Sequence, residues 1–230
     1  MCMAKGGKAM KQKIPSHETF KIAALLALVG GFLDAYTYLL RGGVFANAQT
    51  GNIVLLAVNM AERQWGKAGY YLIPIAAFAV GVFVTNLLRE RLKKSGFLQF
   101  EHCILLFEAG LLFVIGFLPA EMPDGIINVM ISFICSLQVN AFRKVREVPY
   151  ASTMCTGNLR SGTEKLYVFL MEGDRQAGKS AVHYWGVIFL FIAGAAAGTI
   201  AAGMIGIKSI WLCCVLLLLA SLLMLLQDRR

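Results

Sequence analysis

Charge is scarce in this chain. Of its 230 residues, 15% are Asp, Glu, Lys or Arg and 58% are hydrophobic. With a mean hydropathy of +0.66, that balance excludes an ordinary soluble domain and points to a polytopic membrane protein. The six cysteines (Cys2, Cys103, Cys135, Cys155, Cys213 and Cys214) show no CxxC spacing. Most sit in apolar segments and read as small hydrophobes, with no disulfide frame or metal site. The histidines His17, His102 and His183 do not cluster. No GxSG serine motif, no pair of carboxylates at ligand spacing and no His-rich face is present, so the sequence predicts no enzyme, no metal and no cofactor. The basic N-terminus "MCMAKGGKAMKQKIPSHETFK" lacks an apolar core beside a small-residue cleavage site. The first membrane helix is therefore expected to act as the signal.

The net charge of +9 comes from short basic clusters between apolar runs. Such clusters flank membrane helices and attract anionic lipid, so the bilayer is the expected partner and nucleic acid is not. Runs long enough to cross, against a requirement of about 20 residues, occupy 20–40, 70–89, 102–118, 125–142, 184–205 and 207–226. Two further stretches, after Thr50 and after Thr156, are shorter or more polar. If both dip into the membrane without crossing, Lys5, Lys8, Lys11, Lys13 and Lys21 share a side with 89–94, 143–146, Arg175, Lys179, Arg229 and Arg230. Only Arg41, Arg63, Lys67 and Lys208 then fall outside, with the loop "PAEMPDG". If both crossed, 89–94 and 143–146 would move across and the asymmetry would nearly vanish. The positive-inside rule selects the first arrangement, with both termini cytoplasmic.

The polar stretch "GGVFANAQTGNIVLLA" (42–57) has an echo in the second half. Thr50-Gly51-Asn52 recurs as Thr156-Gly157-Asn158. Asp34-Ala35-Tyr36 precedes the first copy by thirteen intervening residues, and Asn140-Ala141-Phe142 precedes the second by the same thirteen. Downstream, Glu62-Arg63-Gln64-Trp65-Gly66-Lys67 is matched by Asp174-Arg175-Gln176-Ala177-Gly178-Lys179. Three elements in one order indicate a duplication. Three crossings per half would invert the second copy, an architecture that places sites at mid-depth between broken helices. The expected fold is thus all-α, six crossing helices plus two re-entrant half-helices in an inverted 3+3 repeat. Its parts are a basic tail (1–19), a first repeat (20–120) and a second, inverted repeat (121–230).

Unwound backbone in hydrocarbon is tolerated only against protein or a wet cavity. Gly42, Gly43 and Gly51 would permit the turn. Thr50, Thr156, Asn47, Asn52 and Asn158 would pair freed amides or cap the following helices, and each helix start would carry about half a positive charge toward the centre. Asp34, mid-way along the first crossing helix, is costly in that setting: a solute ligand or proton carrier, or else an acceptor for loop amides. Its counterpart is Asn140. Glu108 reads as a proton relay or as a helix contact paired with Arg160. Arg160 itself pairs with Glu164 one turn on or faces an anion. Two motifs carry less. "GDRQAGKS" (173–180) fits the phosphate-loop pattern but lacks the preceding strand that makes it work, so no nucleotide is expected. Gly194 and Gly198 form a GxxxG face, used within the bundle or in a homodimer.

The segment Gly30–Leu56 resembles the opening signature of the YoaK-like family of bacterial membrane proteins. The match rests on Asp34, Ala35, Tyr38, Gly42, Gly43, Asn47, Thr50, Gly51 and Asn52, and the second Thr-Gly-Asn at 156–158 also fits. The resemblance implies a bacterial inner-membrane protein and supplies no substrate, since the family is a domain-of-unknown-function group. Together these readings lead to a transporter or channel for a small neutral or anionic solute. Its site is Asp34, Asn47, Thr50, Gly51, Asn52, Asn140, Thr156, Gly157, Asn158 and Arg160, with proton coupling through Asp34 and Glu108. The alternative is a scaffold or sensor that oligomerises through small-residue faces.

Overall fold

A computed structural model describes residues 15–92, 99–145, 148–150 and 155–229. Most of the expected basic tail, Lys93, Lys94, Arg146 and Arg230 lie outside them. Eight helices account for nearly everything else: α1 (Phe20–Leu40), α2 (Gln49–Ala61), α3 (Trp65–Leu92), α4 (Phe100–Ile115), α5 (Asp124–Ala141), α6 (Cys155–Glu172), α7 (Arg175–Ile205) and α8 (Trp211–Asp228). The exception to the all-α expectation is a minimal antiparallel hairpin after α5, β1 (Lys144–Val145) with β2 (Val148–Pro149). Among the described residues, four helical stretches are long and apolar enough to cross a membrane: Phe20–Leu40, Trp65–Arg91, Asp124–Ala141 and Arg175–Asp228. The last runs for 54 residues through α7 and α8, far beyond one ~30 Å hydrocarbon layer at 1.5 Å per residue. Gly206, at φ 59°, stops α7, and a 3₁₀ turn over Gly206–Ile210 leads into α8. The protein is an all-α membrane protein.

Helix ends differ from the sequence expectation where local bonds extend or cut a run. α3 starts at Trp65 rather than 70 because the Ala68 amide already bonds the Gln64 carbonyl. α7 starts at Arg175 rather than 184, with the Asp174 carboxylate accepting from the Gln176 amide at 2.8 Å. That cap lies inside "GDRQAGKS", which forms the turn from α6 to α7 with a helix rather than a strand before it. α6, at 18 residues, is longer than the expected half-helix, and α2 has 13.

Glycines set the closest helix pairs. A Cβ on Gly194 would strike the Leu28 carbonyl, one on Gly198 would come within 2.9 Å of the Phe32 carbonyl oxygen, and one on Gly31 would meet the Phe191 carbonyl. α1 and α7 therefore run in backbone contact, as small residues allow in membranes. Gly81 of α3 does the same against the Phe133 carbonyl of α5, at 2.8 Å. The Gly194/Gly198 face left open to a second chain is filled by α1, so it cannot be a dimer face in this fold. α2 packs on α3, α6 on α7, α4 on α8, α1 on α8 and α4 on α5. The core between them is Leu, Ile and Val, among them Leu26, Leu33, Leu105, Leu112, Ile127, Ile131 and Leu217. Phe83, Phe189, Ile200, Met204 and Val215 point outward, an apolar girdle suited to lipid.

Two ends can be distinguished by their contacts. At one, the Tyr70 hydroxyl and the Asn128 amide both donate to the Arg41 carbonyl, at 3.2 and 2.8 Å. Tyr36 donates to the Ile207 carbonyl, and Trp211 to that of Phe113. At the other, Arg89 donates to the carbonyls of Asn140 and Ala141, Tyr184 donates to that of Pro149, and the rings of Phe20 and His183 lie 5.2 Å apart. Arg41, expected as an exposed flanking charge, is instead 1% exposed and lies 3.5 Å from Asp124.

Candidate functional site

After Leu40 the chain doubles back along α1. Gly42 and Gly43, at φ 76° and 73°, adopt the left-handed backbone that glycine enters without a steric penalty. By Asn47 the chain has returned deep into the bundle: the Asn47 amide donates to Asp34 Oδ1 at 2.8 Å, and its side chain donates to the Gly30 carbonyl at 3.2 Å. At 1.5 Å per residue α1 is about 31 Å long, and Gly30 is near its middle. Asp34 thus accepts a hydrogen bond from the returning loop, and this does not take it off the cavity wall described below.

Asn52, with no exposure, clamps the loop from the other side. Its Oδ1 accepts from the Phe45 amide at 3.3 Å, while its Nδ2 donates to the Phe45 carbonyl at 2.7 Å and to Gln49 Oε1 at 2.9 Å. Gly51 lies within α2, not in the turn, and leaves room for the Phe45 ring. Thr50 and Thr156 are each the second residue of their helix rather than its cap.

α6 runs antiparallel to α7. A Cβ on Gly162 would touch Tyr184 at 3.0 Å, and one on Gly178 would touch the Phe169 ring at 2.7 Å. This register brings the start of α6 beside the middle of α7. There a cavity of about 690 Å³ opens between α1, the loop, α2 and α6. Asp34, Asn47 and Thr50 line it from the first half, and Thr156 and Gly157 from the second. Phe78, Val139, Phe191, Ala195 and Thr199 are also on the wall, as are Tyr38, Phe45, Gln49 and Cys155. The Tyr38 and Phe45 rings stack at 4.9 Å and 16°. Asn47 keeps its carboxamide oxygen unpartnered among the described residues.

The other candidates lie elsewhere. Gly51, Asn52 and Asn158 stand behind the wall, the last two buried. Asn140 faces α3, donating to Asn86 Oδ1 at 3.0 Å and to the Val82 carbonyl at 3.2 Å and accepting from Arg143. The neighbouring Val139 takes the place at the cavity. Arg160 pairs with Glu164 at 2.9 Å, at 81% and 61% side-chain exposure, in an outer groove of about 700 Å³ along α6. That position removes the cation that favoured an anionic solute, and the Glu108 pairing is not formed. Glu108 is fully buried in α4, away from the cavity wall, within electrostatic range of Cys135, which Asp34 also reaches. Sequence reasoning missed the aromatic wall. Phe78 and Phe191 look like any lipid-facing phenylalanine until the helices are placed.

The family described as "Protein of unknown function (DUF1275)" matches residues 22–223. This chain belongs to that family. It is 29% identical over 148 residues to the UPF0700 transmembrane protein YoaK of Bacillus subtilis (strain 168), a stretch covering 63% of this chain and 66% of the relative. The chain thus spans a little under two thirds of that relative's length. No solved structure matches it. The match to the DUF1275 family takes in every cavity residue of both halves, from Asp34 to Thr199.

Proposed function

We propose that this DUF1275 protein is a small inner-membrane transporter or channel, whose solute binds in the cavity between Thr50 and Thr156. The observation that carries this reading is that two helix starts bearing the same tripeptide share one cavity with Asp34. The reading takes α1, α3, α4, α5, α7 and α8 as six crossings and α2 and α6 as re-entrant. In support, the C-terminal ends of α1 and α4 meet the N-terminal ends of α3, α5 and α8 at one face, and the opposite ends meet at the other. The inverted repeat is supported by exchangeable packing: α1 lies on α7 as α5 lies on α3, α2 on α3 as α6 on α7, and α1 on α8 as α5 on α4. On this reading the positive-inside rule favours the basic ends, and both termini, in the cytoplasm.

The wall chemistry favours a non-anionic solute: among the described residues that line it there is no Lys, Arg or His. Asp34 is retained as the coupling residue, and Glu108 is left out of the solute path. No catalytic step is assigned. The scaffold alternative loses the Gly194/Gly198 face on which it rested. The reading is tested by cysteine accessibility in a background with the native cysteines replaced. Thr50→Cys and Thr156→Cys should both react with a membrane-impermeant thiol reagent, and a Phe191→Trp change that fills the cavity should slow both. If neither cysteine reacts from either face of the membrane, the centre is dry and the proposal is wrong.

A further inference from the structure

Deepening the reading of the same cavity, we infer that its ligand is a small organic amine, bound as the ammonium through Asp34 and Asn47 with its apolar body among the aromatic rings. The inference rests on that reading for the site alone; the ligand class comes from the wall. Among the described residues Asp34 is the one carboxylate on it, 5% exposed, and no described cationic side chain lines the cavity to answer it. The start of α2 does so in part. A helix start carries about half a positive charge, against one full negative charge, so a local surplus stays at Asp34. The start of α6 adds a second half-charge across the cavity, which leaves the space near neutrality overall and the negative charge concentrated at one end. A ligand with one localised positive group at the Asp34 end fits that field.

Hydrogen bonding narrows the class. Asn47, 4% exposed, holds an oxygen with no donor among the described residues. A buried acceptor left unpaired is costly, and only a donor removes the cost. An ammonium with N–H groups supplies that donor along with the charge, whereas a quaternary ammonium supplies the charge alone. The rest of the wall suits the body of such a ligand. The Tyr38 and Phe45 stack, Phe78 and Phe191 offer apolar contact and π-faces that attract cations, and about 690 Å³ falls within the range of small-molecule sites. A buried carboxyl can also be neutralised by a proton, so proton and ammonium compete for Asp34, and exchange of one for the other is the coupling this site allows.

The test is calorimetric titration of the purified full chain with four probes of one shape: 2-phenylethylamine, its N,N,N-trimethyl derivative, 2-phenylethanol and 3-phenylpropionate. The amine should bind at least ten-fold more tightly than the alcohol or the carboxylate, and several-fold more tightly than the trimethyl compound. Asp34→Asn should erase the preference for amine over alcohol. Phe191→Ala, which leaves the loop bonds intact, should weaken the amine several-fold and keeps the test open if the Asp34 variant fails to fold. Equal binding of amine and alcohol by the native chain, or tighter binding of the carboxylate, overturns the inference. Vesicle flux with the same probes separates the two readings. Amine binding without flux upholds the ligand class and refutes transport, while flux of the carboxylate without amine binding does the reverse.

Discussion

Replacing Asn52 with alanine removes a carboxamide that makes three hydrogen bonds at full burial, two of them to the amide and carbonyl of Phe45. Phe45 sits in the returning loop, where no helix supplies its backbone with partners. Losing the clamp leaves those two groups unpaired in a poorly hydrated place, at about 1–3 kcal/mol each. Allowing for partial relaxation, the expected loss is about 3 kcal/mol. For a chain of this size that corresponds to roughly 6–12 °C in Tm. Asn52→Asp should behave similarly, since it keeps the acceptor and loses both donated bonds. The control is Asn59→Ala, later in the same helix. Asn59 donates only to the Leu55 carbonyl one turn back, which the helix ladder already engages, so its loss should be about 1 kcal/mol or less. The assay is thermal unfolding of the detergent-solubilised protein followed by tryptophan fluorescence, with accessibility of Thr50→Cys as a local probe of the loop. If Asn52→Ala and Asn59→Ala unfold within about 1 kcal/mol of each other, the loop is not held by Asn52 and the reasoning fails.

Gly194→Ala should destabilise by at least 1–3 kcal/mol, because the new methyl meets the Leu28 backbone and a packed contact cannot absorb it. Gly203→Ala, on the same helix with open space around it, should be neutral or stabilising by up to about 1 kcal/mol; thermal unfolding compares the two. Tyr150, between α5 and α6, has a buried hydroxyl without a partner among the described residues, and burial raises its pKa above the ordinary phenol range. The folded state thus holds the proton more firmly than the unfolded chain. That contribution is complete below about pH 10 and is lost as pH rises through the folded value. Tyr150→Phe should match or exceed the native stability at neutral pH and flatten the loss above pH 10 in a pH series of unfolding midpoints. Asp124→Asn should destabilise more than Arg41→Met, since it leaves the buried Arg41 guanidinium without its carboxylate while the methionine removes the charge itself. Chemical denaturation of the two variants side by side checks the order.

The membrane class, the existence of each helix though not all of its ends, and the recurrence of Thr-Gly-Asn were legible in the chain, because they depend on local composition and on repetition. The roles of individual polar residues were not. Asp34 and Asn140 are nearly isosteric and stand at the same distance before a Thr-Gly-Asn, yet one holds the loop before α2 and lines the cavity, while the other ties α5 to α3 and Arg143. Arg160 offered two readings, a pair with Glu164 or a group facing an anion, and the helix period turns its side chain to the outer groove beside Glu164. Arg41 carried no sequence signal for burial, because the residues that enclose it, Tyr36, Tyr70, Asp124 and Asn128, come from three helices.

Sequence by itself determined that this chain lives in a bilayer and that the tripeptide Thr-Gly-Asn occurs twice, each time sixteen residues after an Asp or Asn in a hydrophobic run. Hydropathy and repetition are properties of neighbours along the chain, and they survive without any knowledge of contacts. Only the tertiary structure decided which faces of α2 and α6 look inward, that Phe78 and Phe191 wall the cavity and that none of its described lining residues is cationic. Those outcomes follow from the glycine-set approach of α1 to α7 and of α3 to α5, a backbone-to-backbone distance that no single helix encodes.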